Sequence, residues 1–121
     1  MNAQAVVLEG VRVLELSAEG PPVHDSAELL GVAWEHQATL VAIPTARLGD
    51  SFFKLSSGEA GELVQKFVNY RVRLAIMGDI SAHLANSNAL RSFVYEANRG
   101  QQLWFVEDRA ALAARLASPP A

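Results

Sequence analysis

Two short clusters in this 121-residue chain carry side chains suited to chemistry. Asp50-Ser51 sets a carboxylate beside a hydroxyl at the start of a short helical turn, Asp50–Leu55, and Phe52-Phe53 follow directly. A phosphate on Ser51 would lie near a helix N-terminus, where free N–H groups and the helix dipole favour anions. The plainer reading makes Asp50 or Ser51 an N-cap. Asp79 and Ser81 come just after the strongest strand pattern, Arg71–Gly78. Ligands of open α/β sheets bind outside the carboxyl ends of strands. Thr45, Asp79, Ser81 and Asn98 are therefore candidates to line a crevice there, against the simpler alternative of turn and cap chemistry.

Other constellations are weak. His24, His36 and His83 are scattered, with no HxH or HExxH spacing, so no metal site is expected. Ser81, His83 and Asp79 fall within five residues. That is too close for ordinary triad geometry, and no G-x-S-x-G elbow is present. Neither GxGxxG nor a P-loop occurs, and no cofactor is expected. Asn69-Tyr70-Arg71 suits a helix C-terminus with a half-buried tyrosine rim. Trp34, Phe52, Phe53 and Trp104 read as core or interface residues.

Composition narrows the class. Hydrophobic residues make up 50 % and charged residues 19 %, a balance that supports a folded core. The length suits one domain, 1–121, with flexible ends at 1–4 and 117–121. No cysteine is present, which excludes disulfides and thiolate chemistry and fits a reducing compartment. The start of the chain lacks the pattern of a signal peptide, and no apolar run reaches the roughly 20 residues of a membrane helix. A cytoplasmic protein with no membrane association is the expectation. A formal net charge of −3 argues against general nucleic-acid binding.

The elements that would position these residues follow from periodicity. Ala5–Glu9 and Val11–Leu16 read as a hairpin turning at Glu9-Gly10. Asp25–Gln37 reads as a helix capped by Asp25, with Glu28 three residues on and Leu30, Ala33 and Trp34 on one face. Leu40–Ile43 is a short strand ended by Pro44. Ser56 and Glu59 read as the capping box of a second helix, whose Ala60, Leu63, Val64 and Phe67 form an apolar stripe. Glu62 and Lys66 are expected to pair, and Gly61 to admit a neighbouring backbone. In Arg71–Gly78, Val72, Leu74 and Ile76 alternate with Arg73, Ala75 and Met77, as in a central strand. A helix over Asn88–Asn98, ended by Gly100, precedes a strand at Leu103–Val106 and a helix over Asp108–Leu116. The order ββαβαβαβα calls for a mixed, mostly parallel five-stranded sheet with one antiparallel edge strand.

The stretches Phe52–Leu55 and Gly58–Asp79, together with Leu90–Gly100, resemble an uncharacterised family, domain of unknown function 4180. That resemblance implies no activity. The order of elements is also similar to the anti-sigma-factor-antagonist (STAS) fold, in which a strand leads to an Asp-Ser pair whose serine is a phosphorylation switch. Asp50-Ser51 holds that place here, but Phe52-Phe53 follow where that family has a small residue and glycine. The similarity implies a non-catalytic regulatory module for bacterial signalling or transcription control, with Asp50, Ser51, Phe52 and Phe53 facing a protein partner. A second reading is a small-ligand or enzymatic role in the crevice near Asp79. A third is a structural homodimer, joined through an exposed edge strand or an aromatic patch.

Overall fold

The computed structural model describes residues 2–23 and 25–118. His24 and the last part of the expected C-terminal tail, 119–121, lie outside them, as does Met1. A single α/β domain is built on one five-stranded sheet in the order β1-β2-β3-β4-β5. β1 (Ala3–Leu8) and β2 (Val11–Leu16) pair antiparallel, while β3 (Leu40–Pro44), β4 (Arg73–Met77) and β5 (Leu103–Val106) continue parallel to β2. Ala3 and Gln4 are thus strand residues, opposite Leu16 and Glu15.

The hairpin closes through Glu9 at φ 51° and Gly10 at φ 79°. Two successive left-handed residues are what a two-residue turn needs to match strand twist. Helix α1 (Ser26–Glu35) starts where Asp25 accepts the Glu28 N–H at 3.1 Å. Helix α2 (Glu59–Asn69) starts differently from expectation: Gly58 is its N-cap, and Ser57, rather than Ser56, accepts the Glu59 N–H at 3.2 Å. Both helices end in the same way. Gln37 and Arg71 adopt φ 57° and 58°, and the N–H groups of Ala38 and Val72 reach back to Ala33 and Phe67. That pattern closes a helix most cheaply with glycine, yet other residues hold both positions. Glu62 and Lys66 make no ion pair; on the same helix Gln65 donates to Asn69 at 2.9 Å. Gly61 faces open space and admits no backbone.

Helix α4 (Asn88–Arg99) is capped by Ser87, and α5 (Arg109–Ala117) by Asp108. A short helix, α3 (Ser81–Ala85), was not legible from periodicity. Because the strand order never reverses, right-handed crossovers carry every connecting helix to the same face. On that face Leu14, Val41, Ile43, Leu74 and Ile76 pack against Leu29, Leu30, Phe67 and Leu90. The other face carries Val13, Leu40, Ala42, Ala75 and Trp104, packed against Leu112 of α5. β4 alternates as expected: Leu74 and Ile76 join one core, and Ala75 the other. Trp34 departs from the face read for α1; it is 82 % exposed.

Candidate functional site

The turn at Asp50–Phe53 is a 3-10 helix between β3 and α2. Its apolar half is spent on packing. Phe52 and Phe53 are each 4 % exposed and meet edge to face at 5.2 Å, and Phe53 stacks on the His83 ring at 4.2 Å. The two phenylalanines are therefore core residues and offer no docking face. Asp50 and Ser51 remain exposed. Neither caps the turn with its side chain. The Ser51 hydroxyl instead donates to the Glu59 carboxylate at 2.8 Å, and Ser57 Oγ donates to the Ser51 carbonyl at 2.6 Å. A phosphate on Ser51 would face Glu59 directly, so near-field charge repulsion opposes the pull of the α2 N-terminus.

Two open hollows flank this ridge. One, of about 600 Å³, is lined by Asp50, Phe53, Lys54 and Leu55 on one side and by His83 and Asn86 on the other. The second, of about 440 Å³, runs past Ser51, Glu59, Glu62 and Lys66 to Pro22 and Leu48.

Of the four residues read as a crevice lining, Thr45, Asp79 and Ser81 lie together just past the ends of β3 and β4, and Asn98 stands apart at the β5 edge. Thr45 packs its side chain onto Gly78, whose φ of 142° and lack of a Cβ allow the contact. Asp79 accepts the Ser81 N–H at 2.9 Å, and its hydrogen bonds to Ser81 hold its carboxyl below the usual value. Asn98 accepts the Phe105 N–H at 2.8 Å and donates to the Phe105 carbonyl at 3.3 Å, so its amide is engaged along the outer edge of β5. The depression that does open at the carboxyl ends of β2–β4 measures about 540 Å³ and is lined by Glu15, Ser17, Pro44 and Met77. Topology explains the difference. Crevices open where adjacent connections part to opposite faces, and the unreversed order of β2–β5 contains no such point.

Several side chains with structural or electrostatic weight carried no sequence signal. Arg47 is 4 % exposed and its guanidinium donates to the carbonyls of Pro21 at 2.7 Å, Ser17 at 3.0 Å and Glu19 at 3.4 Å. Arg109 makes a two-pronged ion pair with Glu15, at 2.6 and 2.8 Å, tying α5 to β2. Arg73 and Arg115 both lie over the Trp104 ring, at 4.4 and 4.5 Å from its centre. Their heads are held by the carbonyls of Gln101 and Asn98, and burial, then the Arg115 charge, lowers the Arg73 pKa. Such pairings join residues distant in sequence, and only the assembled sheet brings them together.

Among the described residues, no cluster of three or more His, Cys, Asp or Glu side chains could hold a metal ion. No described helix is long and apolar enough to cross a membrane. No curated protein and no solved structure matches the chain. The match that exists spans nearly all of the fold, from the end of β1 to the last turn of α5. Over residues 8–116 the chain fits the model of a domain of unknown function, DUF4180, and it belongs to that family.

Proposed function

We propose that this chain is a non-catalytic regulatory module that recognises a protein partner through its Asp50–Ser51 ridge, in bacterial cytoplasmic signalling or transcription control. The supporting observation is the way the ridge is mounted. Phe52 and Phe53 peg the turn into the core, while Asp50 and Ser51 point outward between two open hollows. A rigidly held polar ridge presents its groups to a partner at little ordering cost. The expected STAS likeness adds no support, because no solved structure of that fold matches the chain. The Ser51–Glu59 hydrogen bond gives the ridge a means of control. A phosphate on Ser51 would break that bond and push the turn away from the start of α2.

The test is a quantitative pull-down with the immobilised wild-type chain, Asp50→Ala, Ser51→Ala and Ser51→Asp. Loss of one specific partner from the variants, with unchanged melting of the bait, is the expected result. Equal recovery of that partner from all four baits overturns the assignment of the ridge.

A further inference from the structure

The two edges of the sheet are finished differently. At the β5 edge the Asn98 amide occupies both backbone groups of Phe105. β1 has no such guard. The two-residue turn at Glu9-Gly10 makes Leu8 and Val11 a hydrogen-bonded pair, and bonding alternates from there along the hairpin. The Ser17 N–H on the Asn2 carbonyl, at 2.8 Å, keeps the same phase. Gln4, Val6 and Leu8 therefore spend their backbone groups on β2, while Ala3, Ala5 and Val7 aim theirs outward. Among the described residues nothing pairs with them.

Natural edge strands are usually blunted by charge, proline, a bulge or a covering segment. The strand Ala3–Leu8, Ala-Gln-Ala-Val-Val-Leu, contains no charge and no proline, and its pairing with β2 is regular throughout. Ala5 is exposed, and Val7 is 64 % exposed.

We propose that a second copy of this chain pairs antiparallel along the β1 edge, with Ala5 opposite Ala5 of the partner subunit. The phase of the free groups selects that register. A two-fold axis at Ala5 sets Ala3 against the partner's Val7 and Val7 against the partner's Ala3. Every outward-bonding residue then meets another, and each pair exchanges both of its N–H···O bonds. An axis at Val6 would oppose inward-bonding residues, and one at Ala3 or Val7 would leave part of the edge unpaired. The self-pairing brings no like charges together, because the strand has none. The small Ala5 side chains meet at the axis, and exposed Val7 covers the partner's Ala3. The interface is isologous and continues the five-stranded sheet into its copy. A six-residue edge covers less than the roughly 800 Å² per partner of a stable dimer, so association is reversible and depends on concentration.

The natural chain has no cysteine, which makes the register readable by single thiols. Facing residues of a hydrogen-bonded pair have Cα atoms about 5.5 Å apart, within reach of a disulfide or a short thiol cross-linker. Ala5→Cys is expected to cross-link to a dimer at ~100 µM, at least roughly fivefold more than Ala3→Cys or Gln4→Cys alone. Mixing Ala3→Cys with Val7→Cys is expected to restore cross-linking. Sedimentation of the wild-type chain is expected to show a concentration-dependent dimer that Val7→Lys and Ala5→Pro abolish, with circular dichroism and melting showing both variants folded. Val7→Lys carries the test if the proline variant does not fold. A wild-type monomer at all concentrations, a dimer undisturbed by Val7→Lys, or equal cross-linking at positions 3, 4 and 5 overturns the proposal.

Discussion

Arg47 is the buried side chain on which the loop beside the ridge depends. It lies just after β3, and its guanidinium reaches the carbonyls of Pro21, Ser17 and Glu19 with no carboxylate partner among the described residues. Its own backbone carbonyl accepts the Val23 N–H at 2.7 Å. Arg47 thus fastens the 17–23 loop to the core through its side chain and its backbone, and Gly20 passes so close that a Cβ there would lie 3.0 Å from the guanidinium carbon. Arg47→Met keeps an unbranched stem and removes the donors. The contacts at 2.7 and 3.0 Å are well formed and the one at 3.4 Å is marginal. Each good bond is worth about 1 kcal/mol net once the freed carbonyls in this largely exposed loop regain water, so the variant loses ~2 kcal/mol. Arg47→Ala also forfeits stem burial, at ~0.8 kcal/mol per methylene, and loses ~4 kcal/mol in total. For a domain of this size, 1 kcal/mol moves Tm by roughly 3–5 °C, so Arg47→Met should melt about 6–10 °C low. Arg47→Lys should fall between, because an ammonium lacks the planar fork that spans several acceptors. Calorimetry gives the melting temperature, and amide exchange at Val23 reports whether the loop loosens first. A melting temperature within ~2 °C of wild type for Arg47→Met, with Val23 equally protected, refutes the reasoning.

Gly61→Ala should stabilise by ~0.5–1 kcal/mol, because the position is helical and open, whereas Gly78→Ala should cost more than ~2 kcal/mol, because its methyl would overlap Thr45 and its φ of 142° disfavours any side chain; chemical denaturation of the pair reads both signs. Asn98→Leu should lose ~2 kcal/mol and raise turbidity on heating, since it frees the Phe105 backbone on an edge strand; an unchanged melting curve would count against the guarding role. The Asp79 carboxyl is held below its ordinary value in the folded chain, so the stability it contributes is present above the unfolded-state pKa and is lost as pH falls through the folded one. An acid titration should therefore show a stability difference between wild type and Asp79→Asn at neutral pH that narrows in strong acid.

Most of the fold was legible because its signals are local. Alternation in Leu74-Ala75-Ile76-Met77, the stripe Ala60, Leu63, Val64 and Phe67, and the Asp25 and Gly10 positions each act within a few residues. The start of α2 differs from the Ser56 capping box because two serines stand side by side, and only the turn geometry sets Ser57 on the Glu59 N–H and Gly58 at the N-cap. Spacing sets Trp34 on one face with Leu30 and Ala33, but it cannot say how wide a strip of helix the sheet covers, and Trp34 falls outside that strip.

The site was less legible for a different reason. The sequence by itself determined which residue types were present, that helices and strands would alternate, and that Asp50-Ser51 and Asp79 would follow strands. Only the tertiary structure decided which of these faces water. It buried Phe52 and Phe53 against His83, gave Ser51 to Glu59, and spent Asn98 on Phe105. It also set the strand order, and with it the absence of a switch point among β2–β5. Local patterns fix dihedrals and faces over a few residues. Strand neighbours, long-range partners such as Glu15 and Arg109, and the contrast between a guarded and an open sheet edge depend on contacts that form only when distant segments meet.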